Sequence, residues 1–503
     1  METGAGHAAS LIEKLGSRKV STDSSSLTSY AASINGTLIL PSAIVFPETE
    51  TDIFLCIEFA RHHGLKLYPA SRGRNLGYGD IQGTAGGQII LDLRNMNRIL
   101  EVNEELCYVR FEPGVSQVEL YNYLKSNNSR LGLDVTGAGL DASIAGNVLE
   151  RGFGHTPYGD RFARVMSLTV ITGSGEKITT GMGAFGNPAS PTYRYGTGPM
   201  LEGLFSQSNF GIITEMTLEL MPEPESMTMF VISCQNPDSL GNIVDNLREL
   251  KLAGVITSAV HIANKSRAIG QGENKLAGYW NLSGVLTGPS SVVRAQEKAI
   301  KSRFSDSPYR YRVVFIGKKL HRLLSFVHNR ILKLSFFPVL DDVYGLQAGI
   351  PTDGPLKTLM DDEKLDSATF KADQYNTCFS WINAIVPATH IDANKAAGIL
   401  KALFDKSGFE FRITMTAVTS RTLILISNVN YDRNPEGISK GLAFVAECSK
   451  ALNAAGYYPY RAGSGMYDKL PGFTQDYSSV LSKLKNTFDP DNILAPGKYN
   501  IGA

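Results

Sequence analysis

The stretch Ser71-Arg-Gly-Arg-Asn-Leu-Gly-Tyr-Gly79 packs three glycines, two arginines and a tyrosine into nine residues. Glycine tolerates positive φ and lets a backbone come close to another group. Arginine presents a rigid fork of donors. Together they suit a loop that cradles an anion, phosphate first among them, because successive backbone amides form an anion-binding nest. The same residues also read as a polar surface turn. Other chemistries find no support. The loop lacks the Walker GKS or GKT, and no GxGxxG opens a helix after it. There is no HExxH, no serine elbow and no cluster of carboxylates. The five cysteines lie far apart without a CxxC pair, which argues against a cysteine-based metal site and for a reducing compartment. His62-His63 closes a helix and suits the capping of its last carbonyls.

The elements around the loop favour the anion. "AIVFP" reads as a short strand from Ala43. "TDIFLCIEFARHHG" reads as a helix, with Thr51 as N-cap and Gly64 as the stop. "LKLYPAS" is the strand that delivers the chain into the loop, so the loop follows a strand in a β–α–β unit. "QIILDL", "RILEVN" and "CYVRFEPG" are further strands, and "SQVELYNYLKSNN" is a helix. "MPEPES" marks a boundary near 225, after which strands alternate with amphipathic helices to about 470. A helix, a turn and a short tail end the chain. With 503 residues, 43% hydrophobic and 19% charged, the composition is that of a globular protein of more than one domain. A formal net charge of +1 argues against nucleic acid and anionic membranes as partners. No run approaches the roughly 18 apolar residues of a membrane span, and the N-terminus lacks the pattern of a secretory signal. The expected location is cytoplasmic.

Six motifs then occur in order: "GRNLGYG", "VLERGFGHTPYGD", "GPMLEGLFSQSNFGIITEMTLELMP", "LQAGIPT", "YYPYR" and "FDPDNILAPGK". In order and spacing the chain resembles the vanillyl-alcohol oxidase and p-cresol methylhydroxylase family of flavoprotein oxidoreductases, from about Pro41 to Tyr499. The resemblance implies an α+β fold with a two-part, PCMH-type FAD-binding domain and an inserted α+β cap. Residues 1–225 and 471–503 would form the FAD-binding domain and residues 226–470 the cap. It also implies bound FAD. Ser71, Arg72, Gly73, Arg74, Asn75 and Leu76 match the loop that wraps the pyrophosphate. Thr136, Ser143, Gly146, Asn147, Arg151, Gly152 and Gly154 match positions lining the cofactor. Gly211 and Ile213 fall in the segment along the flavin, and Lys498 approaches from the tail.

In that family para-substituted phenols are activated as phenolates by two tyrosines and an arginine. Tyr78, Tyr460 and Arg461 match those positions. The chemistry is coherent, since a cation lowers the cost of a phenolate and hydroxyl donors add charge-assisted hydrogen bonds. Two departures stand out. Leu423 and Ile424 fall where a cap histidine would tether FAD, and Arg74 stands near the loop position that related oxidases use, so the FAD is expected to be noncovalent. The acid expected near flavin N5 has only Asp141 nearby as a candidate, with one residue of slack in the alignment. His155 replaces an aromatic residue of the family pattern and reads as either substrate-facing or packed, with packing favoured.

The leading expectation is an FAD-dependent oxidase or dehydrogenase that oxidises a small aromatic alcohol or para-substituted phenol by hydride transfer to flavin N5. Its electron acceptor would be O2 or another oxidant, and homo-oligomerisation stays open. The alternatives are oxidative tailoring or cyclisation of a larger metabolite, 2-hydroxy-acid oxidation, and non-catalytic FAD binding.

Overall fold

The β–α–β unit around the glycine-rich loop is present in the computed structural model, which describes residues 4–269, 277–467 and 470–502. Strands Ala43–Val45 and Leu67–Ala70 flank Ile89–Asp92 in parallel, and Val20–Ser21 adds an antiparallel edge. The helix between them, Glu50–His63, is capped by Thr49 rather than Thr51. Thr49 and Asp52 form a reciprocal capping box, which satisfies two orphan amides at once. Gly64 ends the helix at φ 64°, in the left-handed conformation that glycine adopts without penalty. The polar stretch near the N-terminus also forms a helix, Ser24–Ala31, because the Asp23 side chain accepts the Ser26 amide.

A second sheet of five strands runs antiparallel in the order 99–103, 108–111, 211–219, 165–172, 177–179. Strand Val165–Thr172 is buried along its whole length, its polar positions Ser167, Thr169 and Thr172 included. The tail returns to this region. The helix Gln475–Phe488 is followed by Leu494, which pairs with Leu67. The buried Lys485 ammonium donates to the Asp489 carboxylate at 2.7 Å and to the carbonyls of Asn209 and Leu494. A buried cation holds only when paired and hydrogen-bonded, so this knot fixes the tail against the start of strand Gly211–Glu219.

The third sheet, between residues 226 and 432, has seven antiparallel strands. Its alternation sorts side chains to two faces. Phe230 and Ile232 on one strand, Val260 and Ile262 on the next, and Ile413 and Met415 on another pack under helices 240–252, 390–407 and 435–454. The intervening residues Val231, Ser233, His261, Ala263, Thr414 and Thr416 face a cavity on the opposite side. This sheet is therefore apolar on one face and half polar on the other.

Candidate active site

One cavity of about 820 Å³ runs from the glycine-rich loop to the polar face of the seven-stranded sheet. At the loop end its wall is made of backbone. Gly73 and Gly77 adopt φ of 68° and 77°. A Cβ at Gly73 would lie 2.6 Å from the Ile81 side chain, and one at Gly77 would lie 2.5 Å from Phe379. Only glycine fits either turn, which holds the loop curled with its amides available. Ser143 caps the helix Ile144–Leu149 by accepting the Gly146 amide, and its hydroxyl donates to the Pro113 carbonyl.

Ser71, Arg72, Gly73, Arg74, Asn75, Leu76, Thr136, Ser143, Gly146, Asn147, Gly152 and Lys498 all line this cavity, as do Tyr78, Tyr460 and Arg461. Five residues expected at the site lie off its wall. Asp141 is buried with one carboxylate oxygen facing the Arg72 guanidinium and the other accepting from Arg74 Nε at 2.9 Å. Arg151 is exposed and donates to Ser206. Gly154 is glycine because a Cβ there would collide with the Asp134 carboxylate. Gly211 abuts Val170, and Ile213 belongs to the core behind the five-stranded sheet. Leu423 points into the helix-packed core, so on that strand it is Ile426 that meets the cavity.

Arg72 and Arg74 spend most of their donors on protein. Arg72 also reaches the Gly114 carbonyl at 2.9 Å, and Arg74 reaches those of Phe370 and Ala368. Their side chains brace the loop, and the curled backbone is left to meet an anion. Lys498 forms a 2.7 Å ion pair with Glu150, whose other oxygen accepts from the Tyr499 hydroxyl. Burial opposes ionisation of Glu150, but Lys498 and Arg461 outweigh it and hold its carboxyl below the usual range.

Tyr78 converges with the adjacent Tyr460 and Arg461 although Tyr460 lies 382 positions further along the chain. The Arg461 guanidinium lies 4.3 Å above the Tyr78 ring and donates to the Asn75 side chain. Burial opposes the charge of Arg461, yet the Tyr460 and Tyr78 hydroxyls raise its pKa above the ordinary guanidinium value. The Tyr78 hydroxyl is buried beside Tyr460 and Asn383, yet among the described residues no partner meets it with good hydrogen-bond geometry. Burial, with Tyr460 close by, pushes its pKa well above 10. A buried hydroxyl left unpaired costs free energy unless something absent from the chain completes it.

His155 and residues that the sequence did not mark complete the far end. His155 and His261 stack at 4.2 Å. His261 Nδ1 lies 3.0 Å from the Thr416 hydroxyl, while His155 Nδ1 and His261 Nε2 have no partner among the described residues. Burial lowers the His155 pKa to about 4 and that of His261 further, so both rings are neutral at physiological pH. Phe153 stands 6.2 Å from both His261 and Tyr460 and links the pair to the Tyr78, Tyr460 and Arg461 cluster. Trp381 lies 6.4 Å from Tyr78 with its ring nearly parallel, and its indole donates to the Leu76 carbonyl at 2.8 Å. No local pattern marked His261 or Trp381, since each reaches the chamber only through the pairing of separate strands: His261 lies opposite Ser283 and Thr416, and Trp381 opposite Asn428.

A curled, glycine-built anion loop that opens into a chamber of unsatisfied donors fits a nucleotide-bearing redox cofactor with a substrate beside it. Known proteins define that class. Residues 41–181 match the FAD binding domain family. The chain is 32% identical to 1'-carboxy-chondrochloren decarboxylase of Chondromyces crocatus, over 97% of this chain and 96% of that one. It is 29% identical to the flavoprotein subunit of 4-cresol dehydrogenase [hydroxylating] of Pseudomonas putida, over 92% and 88%. The solved structure of 4-ethylphenol oxidase from Gulosibacter chungangensis, in complex with isoeugenol, superposes with a TM-score of 0.88 at 26% identity, covering 99% of this chain and 97% of that one. The chain belongs to the vanillyl-alcohol oxidase and p-cresol methylhydroxylase family and is an FAD-dependent oxidoreductase with the α+β, PCMH-type fold.

Proposed function

We propose that this enzyme oxidises a para-substituted phenol or a related aromatic alcohol, with Tyr78, Tyr460 and Arg461 holding the phenol oxygen as phenolate. The observation that carries this reading is the convergence of the buried Tyr78 hydroxyl with Tyr460 beside it and the Arg461 guanidinium over its ring. A phenolate oxygen placed there accepts from the hydroxyls and faces a buried cation whose nearest carboxylate, Glu150, is already paired with Lys498. An opposite charge at that distance favours the ionised phenol. Two relatives named for 4-cresol and 4-ethylphenol support it.

The loop Ser71–Leu76, with Ser143, Gly146, Asn147, Gly152 and Lys498, would hold the FAD. Bound there, FAD supplies a two-electron acceptor. Asp141 acts here as a brace for Arg72 and Arg74, a positioning role in place of the base expected from sequence. The FAD is noncovalent on this reading, because Leu423 is buried away from the chamber and Ile426 offers no nucleophile. The division into residues 1–225, 226–470 and 471–503 belongs to the same proposal.

A second reading is oxidative tailoring of a larger aromatic metabolite. The relative named as a decarboxylase favours it, as does a cavity that extends past the clamp to the helices at 318–330 and 337–347.

The test is anaerobic flavin reduction by 4-alkylphenols. Tyr460→Phe and Arg461→Ala should each slow reduction by roughly 10–150-fold, the worth of one charge-assisted hydrogen bond. Wild-type rates in both variants would exclude phenolate activation and leave a nonphenolic substrate.

A further inference from the structure

Beyond the clamp the chamber holds another arginine, Arg267, in the short helix Lys265–Ile269. Its guanidinium lies 5.7 Å over the Trp381 ring and donates one hydrogen bond, from Nη1 to the Asn428 side chain at 3.1 Å. Asn428 in turn donates to Asn430, so its carbonyl oxygen is held toward the arginine. Among the described residues no carboxylate is paired with Arg267. The acids that line the cavity are engaged elsewhere: Asp80 with the amides of Ile34 and Gly77, Glu150 with Lys498, and Asp342 with Thr352. Burial, with Arg412 nearby, lowers the Arg267 pKa to about 10, the opposite of what an ion pair would do. Arg412 itself is paired with Glu410.

A buried guanidinium normally faces a carboxylate, because an unpaired buried charge is costly. Here the open donors face the chamber. The column Arg461, Tyr78, Trp381, Arg267 then places one cation at each end of two aromatic rings. The first cation belongs to the phenol clamp. The second has no assigned ligand.

We propose that Arg267 is the anchor for a carboxylate carried on the side chain of the substrate, so that the enzyme selects aromatic acids whose phenol sits in the clamp and whose carboxylate reaches Arg267. This rests on the phenol reading of the same chamber. Arginine suits the task because its planar fork matches a carboxylate in a bidentate pair. Trp381 fixes the plane of the fork by stacking and is itself pinned by its bond to the Leu76 carbonyl. The site thus discriminates on the charge of the side chain as well as on the ring.

The test uses calorimetric titration of the FAD-loaded enzyme with 3-(4-hydroxyphenyl)propanoate, its neutral amide, and 3-phenylpropanoate, which lacks the hydroxyl. The wild type should bind the hydroxylated acid about 10–100-fold more tightly than the amide. Arg267→Met should abolish that preference and leave the amide unchanged, while Arg267→Lys, which keeps the charge without the fork, should restore part of it. Equal binding of acid and amide by the wild type overturns the proposal whatever the variants do. So does a preference that survives in Arg267→Met. The third probe separates this idea from the phenol reading. If Tyr460→Phe leaves the hydroxylated acid's affinity untouched, the clamp fails, but an Arg267-dependent affinity for 3-phenylpropanoate still establishes the carboxylate anchor.

Discussion

The two ends of the cavity are built on opposite principles. At the loop end the polar side chains are spent on one another: Arg72 and Arg74 on Asp141 and backbone carbonyls, Ser143 on the Gly146 amide and the Pro113 carbonyl, Lys498 on Glu150. At the chamber end they are left open, as in the Tyr78 hydroxyl, the His155 and His261 nitrogens, and Arg267 with a single side-chain bond. A site that meets a constant partner can use rigid backbone and braced side chains. One that meets a reacting substrate keeps its donors unspent, because only bonds completed by the substrate or its transition state help the chemistry.

The sharpest way to break this comparison is at Gly73. Gly73→Val combines a φ of 68°, which a branched residue strongly disfavours, with a Cβ 2.6 Å from Ile81. The expected result is folded protein purified without visible flavin absorbance. Gly87→Val is the control, since Gly87 has a similar φ of 80° but no heavy atom within 4 Å of its Cβ and does not line the cavity. It should stay yellow. A yellow Gly73→Val would mean that the loop is no cradle.

Asp141→Asn comes next. As a base beside the flavin, Asp141 would lose reduction rate and keep FAD. As the brace of Arg72 and Arg74, its loss leaves Arg74 without a carboxylate and Arg72 with only Glu119 at 3.4 Å, and breaking a buried pair costs about 3–5 kcal/mol. We expect a lower thermal midpoint and weaker FAD retention, while any FAD-loaded fraction is reduced by substrate at the wild-type rate. A stable, fully loaded variant with slow reduction would return Asp141 to the chemistry.

The same contrast explains what could be read from sequence. The loop end is local: a strand, a glycine-rich turn and capped helices within about a hundred residues, each with turn and cap residues at fixed offsets. The helix start shifted by two residues, from Thr51 to Thr49, because both threonines precede apolar positions and only the capping box with Asp52 decides between them. The chamber end is non-local. Trp381, His261 and Arg267 meet only because seven strands pair in the order observed, and strand alternation says which residues share a face but not which strands are neighbours. Asp141 was misplaced for a related reason. A lone carboxylate beside a glycine turn reads as reactive until the two arginines of a loop some seventy residues earlier are found across from it.

The smallest expected effect concerns the open end, at His155. In the folded protein burial holds its pKa at about 4, against an ordinary value of 6.5. As pH falls below 6.5 the unfolded chain takes up a proton that the folded chain refuses until about pH 4. The unfolded state then binds more protons, and stability is lost progressively across that window and no further below it. At pH 5 the loss attributable to this ring is about 2 kcal/mol. His155→Phe keeps an aromatic ring against His261 and removes the titrating group. Between pH 7 and pH 5 the variant's thermal midpoint should therefore fall less than that of the wild type, with little difference at pH 7.5. His261, which is driven lower still, contributes to the slope in both proteins; part of its shift comes from His155, so the variant relaxes it in the same direction and the difference reports His155 with its effect on His261. Parallel pH profiles would show that His155 is solvated or already has a proton partner in the folded protein, and the chamber would then keep fewer open donors than the comparison of its two ends requires.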